Sequence, residues 1–202
     1  MQICQSIHCN RFPCQDVRHE GYYIPSIDID PQKVMVVLIS EATATDLGDN
    51  YYAPGTPSFA QTTLSAFRAA GMNVQNFEDI LNRGFYLTTA VKCNKTGYGI
   101  QTATVKECSL LLEEELDLFP NVVAYLLMGD IAIQAFNAIA RRKIGSRAIP
   151  PGSTYKIRGR EYYYQGVRLF PSYLQVGPSY GIEKSKQRMI AEDIAAAIKL
   201  VE

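Results

Sequence analysis

The sequence predicts an α/β fold, a three-layer αβα sandwich around a central, mostly parallel sheet. Three observations predict it. Short apolar runs rich in Val, Ile and Leu alternate with amphipathic stretches of helical length, turn formers bound the apolar runs, and the intervals between them are long enough for helical crossovers. With 202 residues, 47% of them hydrophobic, the chain can bury a sizeable core, and residues 1–202 are read as one domain.

The elements follow in order. "KVMVVLIS" (33–40) is a β-branched apolar run between turn formers, a buried parallel strand. "SFAQTTLSAFRAAG" (58–71) carries Phe59, Leu64 and Phe67 and stops at Gly71, a helix C-cap residue. "GFYLTTAVKC" (84–93) is a second strand, "TATVKECSLLLEEELDLF" (102–119) a helix that Pro120 ends, "NVVAYLLMG" (121–129) a third strand and "DIAIQAFNAIARRK" (130–143) a further helix. "STYKIRGREYYYQGVRLFPSYL" (153–174) predicts two strands turning at Arg158-Gly159-Arg160, and residues 181–202 a terminal helix. Residues 1–30 carry three cysteines and no clear period, so this arm is expected to need an external clasp.

Net charge is formally zero, yet residues 141–190 hold eleven Lys and Arg against only Glu161 and Glu183, while carboxylates gather elsewhere, as in Glu113-Glu114-Glu115. Such asymmetry suits either a surface that meets a polyanion or a solvated basic face. No run reaches the ~18 apolar residues of a membrane span. The start, "MQICQSIHCN", has neither the basic beginning nor the apolar core of a signal peptide. A cytoplasmic, monomeric protein with no membrane partner is expected.

In a reducing compartment five cysteines are metal ligands or buried thiols rather than disulfides. Cys4, Cys9 and Cys14 sit five apart, and Cys93 and Cys108 fifteen apart, with none of the C-x2-C knuckles of a zinc ribbon. Thiolates drawn from an irregular arm and one long loop suit an iron–sulfur cluster, which accepts ligands from scattered positions; buried structural cysteines are the alternative.

"YLTTAVKCNKTGYGIQTATVKECSLLLEEELDLFPNVVAYLLMGDIAIQAF" resembles the iron–sulfur branch of the uracil-DNA glycosylases. The matching pieces are Thr89-Ala90-Val91-Lys92-Cys93, then Cys108, Pro120 and Met128-Gly129. "LISEATATD" is similar to that family's Gly-Glu-Ala-Pro-Gly segment, with Glu41 and Ala42 retained, and "GTPSFAQTTLSAFRAAG" to its Pro-Phe segment and following helix. The resemblance implies a 4Fe-4S cluster held by Cys9, Cys14, Cys93 and Cys108, with Cys4 the less favoured partner. It also implies a base-excision enzyme that flips a deaminated base, uracil or a relative, out of DNA and hydrolyses its N-glycosidic bond at the carboxyl ends of the strands.

Carried over residue by residue, Phe59 matches the aromatic that stacks on the base, although it also suits the core at a helix start. Thr89 stands where the family pairs an Asn with the base edge, and a hydroxyl lacks the paired amide geometry. In "LFPSYL", Phe170 replaces the family's His ahead of Pro171-Ser172, and only His8 and His19 exist in the chain. Losing one donor to a leaving group typically costs about 10²–10³ in rate. Ser172 is then a remaining donor, Leu174 a wedge into the duplex, and Glu41 the catalytic carboxylate that orients water or stabilises the oxocarbenium, unless it caps the next segment. Lys184, Lys186 and Arg188 at the start of the last helix form either a phosphate site or a solvated face. These departures leave a second expectation beside the enzyme: a catalytically weak or inactive DNA- or nucleotide-binding module that keeps fold and cluster.

Overall fold

The computed structural model describes residues 1–202, apart from the side chains of Pro178 and Ser179. Six strands form one sheet: β1 (Val17–Arg18), β2 (Val36–Thr43), β3 (Phe85–Lys95), β4 (Ala124–Met128), β5 (Tyr162–Tyr164) and β6 (Val167–Ser172), in the spatial order β1-β3-β2-β4-β6-β5. The four central strands run parallel, and the two edge strands are antiparallel to their neighbours. Crossover helices cover both faces, so the central strands are buried on both sides and read as continuous apolar runs.

Alternation along β2 divides the core in two. Val37 and Ile39 face a layer built by α3 (Thr102–Leu116) and α4 (Asp130–Ile144), where Leu112 joins the cluster, Tyr86 of β3 packs on Phe119 at 4.8 Å and Phe136 of α4 on Tyr125 of β4 at 5.0 Å. Val36 and Leu38 face the opposite layer of α1 (Ser58–Ala69), α2 (Phe77–Asn82) and α6 (Lys184–Ile198), where Phe67, Ile80 and Ile194 pack on Phe85 and Leu87. The architecture is therefore α/β with helices on both sides of a six-stranded mixed sheet.

Two sequence expectations are corrected, and two further features emerge. The hairpin turn lies at Gln165-Gly166, not at Arg158-Gly159-Arg160: both turn residues have positive φ (49° and 85°), as a two-residue hairpin loop requires, and residues 154–157 form the short helix α5 (Thr154–Ile157) instead of a strand. β2 runs on to Thr43 because β3 is long enough to pair with it as far as Asn94, which places Glu41 on the strand rather than after it. The helix α2 was not visible in the sequence; a capping box between Asn76 and Asp79 starts it. Glu115, within the acidic run Glu113-Glu114-Glu115, is fully buried.

The N-terminal arm is anchored in part by its own residues. Ile3, Ile7, Val17 and Ile24 enter the core of the α3–α4 layer. Asp16 accepts hydrogen bonds from the Gln101 N–H (2.6 Å) and the Thr104 hydroxyl at the start of α3, and the Tyr23 N–H donates to the Lys92 carbonyl (2.8 Å).

Candidate metal centre and sheet-edge site

β3 and α3 are joined by a loop that leaves Cys93 near the strand end and Cys108 in the second turn of the helix. The arm passes beside them, and Cys9 and Cys14 line the same cavity of about 280 Å³ as Cys93 and Cys108. Cys4 does not line it and packs elsewhere against the core. Between Cys9 and Cys14 the backbone folds back through Phe12, whose φ of 44° is strained for a bulky side chain, at a cost of order 1–3 kcal/mol. Packing of the Phe12 ring on His19 and Tyr22, at centroid separations of 5.2 and 5.1 Å, holds that turn.

The donor set is sulfur alone. Burial, with the neighbouring thiols adding to it, pushes the Cys93 thiol up to about 12; burial likewise raises Cys108 to about 11. Four such groups around one space repel one another when ionised, and a cationic iron centre relieves that repulsion. The Lys92 N–H donates to the Cys108 sulfur at 3.2 Å, a backbone donor of the kind that tunes thiolate ligands. Among the described residues no group of three or more His, Cys, Asp or Glu side chains is placed to hold a metal ion.

Directly beneath the cavity, Lys92 is fully buried. Its ammonium donates to Glu115, to the Thr88 hydroxyl (2.7 Å) and to the Thr89 carbonyl (2.7 Å). Glu115 also accepts from the Tyr86 hydroxyl (2.6 Å) and the Thr88 hydroxyl (2.9 Å), so every charge in this core is partnered. The signal was present: Glu115 falls on the Leu112, Leu116 stripe of α3.

The second cluster lies at the carboxyl edge of the sheet, where open α/β folds hold ligands. The Glu41 carboxylate receives the Lys95 ammonium at 3.1 Å and rests over Gly129. A Cβ on Gly129 would come within 2.7 Å of the Glu41 Oε1, and the residue's φ of 98° favours glycine independently. Thr89 pairs in register with Ser40, whose hydroxyl bonds Tyr51 and Gln175; the Gln175 amide donates to the Tyr51 hydroxyl at 2.8 Å. Tyr51 packs against Phe59 at 5.4 Å. Tyr51 and Gln175 are buried, as is the Thr63 hydroxyl, which has no partner among the described residues; of these the sequence drew attention only to Tyr51, through the tyrosine pair of DNYYAPG.

The remaining expected residues are less accessible. Phe59, Thr89 and Phe170 are each under a tenth exposed, and Phe170 carries the Arg168 guanidinium 4.7 Å above its ring. Ser172 is fully buried and donates to Asp193 at 2.5 Å, while Asp193 is clamped by Arg158 at 2.8 and 3.1 Å. Burial raises the Asp193 carboxyl, and Arg158 and Ser172 pull it part of the way back. Asp193→Ala is expected to cost about 2–3 kcal/mol in urea unfolding, the value of charge-assisted bonds left unmade.

Leu174 is half-buried against the α1–α6 core. Lys186 pairs with Glu183 and Arg188 with Glu192, whereas Lys184 is exposed with no ion pair among the described residues. The rim carries other exposed apolar groups: Tyr98, fully exposed between Gly97 and Gly99 in the loop after β3, and Ile182, 78% exposed in the loop after β6. Among the described residues no helix is long and apolar enough to cross a membrane. No protein-family model matches this chain, and no curated protein matches it as a relative.

Proposed function

We propose that this chain is a DNA glycosylase-type protein of base excision repair, fastened by a structural 4Fe-4S cluster, that hydrolyses the N-glycosidic bond of a flipped, deaminated base. The observation that carries the reading is the meeting of Cys9, Cys14, Cys93 and Cys108 around one cavity, from an arm, a strand end and a helix that the sequence keeps far apart. It is this arrangement that the uracil-DNA glycosylase resemblance implies, on a fold whose sheet edge carries Glu41.

When bound, the cluster supplies a covalent clasp for the arm and the loop after β3. The chemistry falls to the chain's own groups. Glu41, held by Lys95 and set close to the β4 end by Gly129, orients a water molecule at the sugar and balances the positive charge that develops there. Phe59 offers its face to the base once the Tyr51 ring swings aside, and Thr89 and Gln175 supply polar contacts to the base edge. Tyr98 and Ile182 are the apolar groups placed to enter the stack.

Oligonucleotides carrying uracil, hypoxanthine or xanthine test this directly. Release of one of these bases is expected, with Glu41→Gln slowing it by about 10²-fold or more; an unchanged rate in that variant removes Glu41 from the chemistry. A second reading, a DNA- or nucleotide-binding module without excision, is favoured by the close packing of Phe59, Thr89 and Phe170 and by the engagement of Ser172 with Asp193. Its signature is salt-dependent DNA binding with every base left attached, and a gain of excision in Phe170→His would locate the defect at the missing donor.

A further inference from the structure

A group of unpaired cations lies beside a groove that neither site uses. A groove of about 420 Å³ runs between α3, α4 and the 145–157 segment. Its rim carries Lys106, Arg141 and Arg147, which are exposed and enter no ion pair or side-chain hydrogen bond among the described residues. Their neighbours behave differently: Arg142 and Lys143 are neutralised by Glu113 and Asp117. Asp130 is the one carboxylate on the groove wall, and it is engaged by the Thr154 hydroxyl at 3.3 Å.

The groove is built rather than incidental. The Asn137 side chain, buried in α4, accepts from the Ala148 and Ile149 N–H groups (3.0 and 2.9 Å) and donates to the Ile149 carbonyl (3.0 Å). Those bonds pin the 148–149 backbone and set Pro150-Pro151 as a stiff wall. The groove is lined on its apolar side by Val105, Ile133 and Ile157. Cations at the rim and an apolar surface between them complement a molecule with an anionic end and a flat apolar face, and the volume lies within the usual range of small-molecule sites.

From this combination we infer that the groove binds a nucleoside phosphate, the base against Ile133 and Ile157 and the phosphate on Arg141, Arg147 and Lys106. Along α4 the groove extends from Asp130 to Arg141, about 16 Å at 1.5 Å per residue. That length accepts either a free nucleotide or consecutive nucleotides of a single strand. The inference stands apart from the glycosylase reading, since none of these residues belongs to the sheet-edge site.

Equilibrium titrations of the full chain with dATP, with inorganic phosphate and with an undamaged 12-nucleotide single strand test it, with Arg141→Glu/Arg147→Glu as the variant and its melting temperature as a folding control. Wild type should bind dATP or the strand at least about tenfold more tightly than the variant, the loss expected for charge-assisted bonds. Binding of dATP identifies a free nucleotide, and binding of the strand alone identifies the nucleic acid. Ile133→Ala, which trims the apolar wall without adding charge, should weaken nucleotide but not inorganic phosphate, with its melting temperature as the folding control. The inference is overturned if neither nucleotide probe binds, if the folded double variant binds them as wild type does, or if inorganic phosphate binds as tightly as dATP.

Discussion

Replacing Glu115 with alanine is expected to destabilise the protein by about 3–5 kcal/mol, the cost of stranding a buried charge without its partner. Lys92 and Glu115 are both fully buried, so each is the other's charge partner away from water. Removing the carboxylate also strands the Tyr86 and Thr88 hydroxyls that donate to it. Urea unfolding followed by circular dichroism measures the loss. The double replacement Lys92→Met/Glu115→Leu separates charge from packing: it deletes both ions while filling their space, and is expected to recover most of the stability lost by Glu115→Ala, as apolar replacements of buried pairs commonly do. A double variant as unstable as the single one would mean that the network holds β3 and α3 together through its hydrogen bonds rather than through charge neutralisation.

That pair also illustrates what the sequence makes legible. Strand and helix order follows from hydrophobic period, because the central strands are covered on both faces and the helices on one, and both patterns survive in the one-dimensional string. Glu115 was hidden because its partner lies 23 residues away, so that only the helical stripe of Leu112 and Leu116 hinted that its neighbours were apolar. The basic tract of residues 141–190 misled in the opposite direction. Its charges looked unbalanced along the chain, yet Arg142, Lys143, Arg158 and Arg188 find Glu113, Asp117, Glu192 and Asp193 in space. What the tract leaves without an ion pair among the described residues is a smaller set that includes Arg141 and Arg147 in the α3–α4 groove, Lys156 and Arg160 near α5, and Lys184 at the rim. At the sheet edge the strand-end motif located Glu41 and Thr89, whereas Tyr51 and Gln175, from loops without periodicity, could be brought to Ser40 only by the folded chain.

Serine at Cys93 or Cys108 is expected to abolish the iron content and the broad visible absorption of the purified protein, whereas Cys4→Ala should leave both intact. The contrast follows from position: Cys93 and Cys108 are buried walls of the four-thiol cavity, and Cys4 lies outside it. The consequences for folding differ from those in small metal-dependent domains, where the metal supplies about 10–16 kcal/mol and the apo chain is unfolded. Here Ile3, Ile7, Val17 and Ile24 keep most of the arm in the core, and Asp16 ties it to the start of α3. Loss of the cluster should therefore release at most a local segment, residues 9–15, where the strained Phe12 turn is otherwise held by packing on His19 and Tyr22 and by hydrogen bonds at Cys9 and Cys14. Hydrogen exchange after iron removal should show faster exchange there and in the 96–101 loop, with β2 and β4 unchanged. Iron retained at full occupancy in Cys93→Ser would remove the thiol from the ligand set and with it the clasp. Global unfolding on iron loss would instead mean that the cluster, and not the apolar arm residues, supplies most of the arm's docking energy.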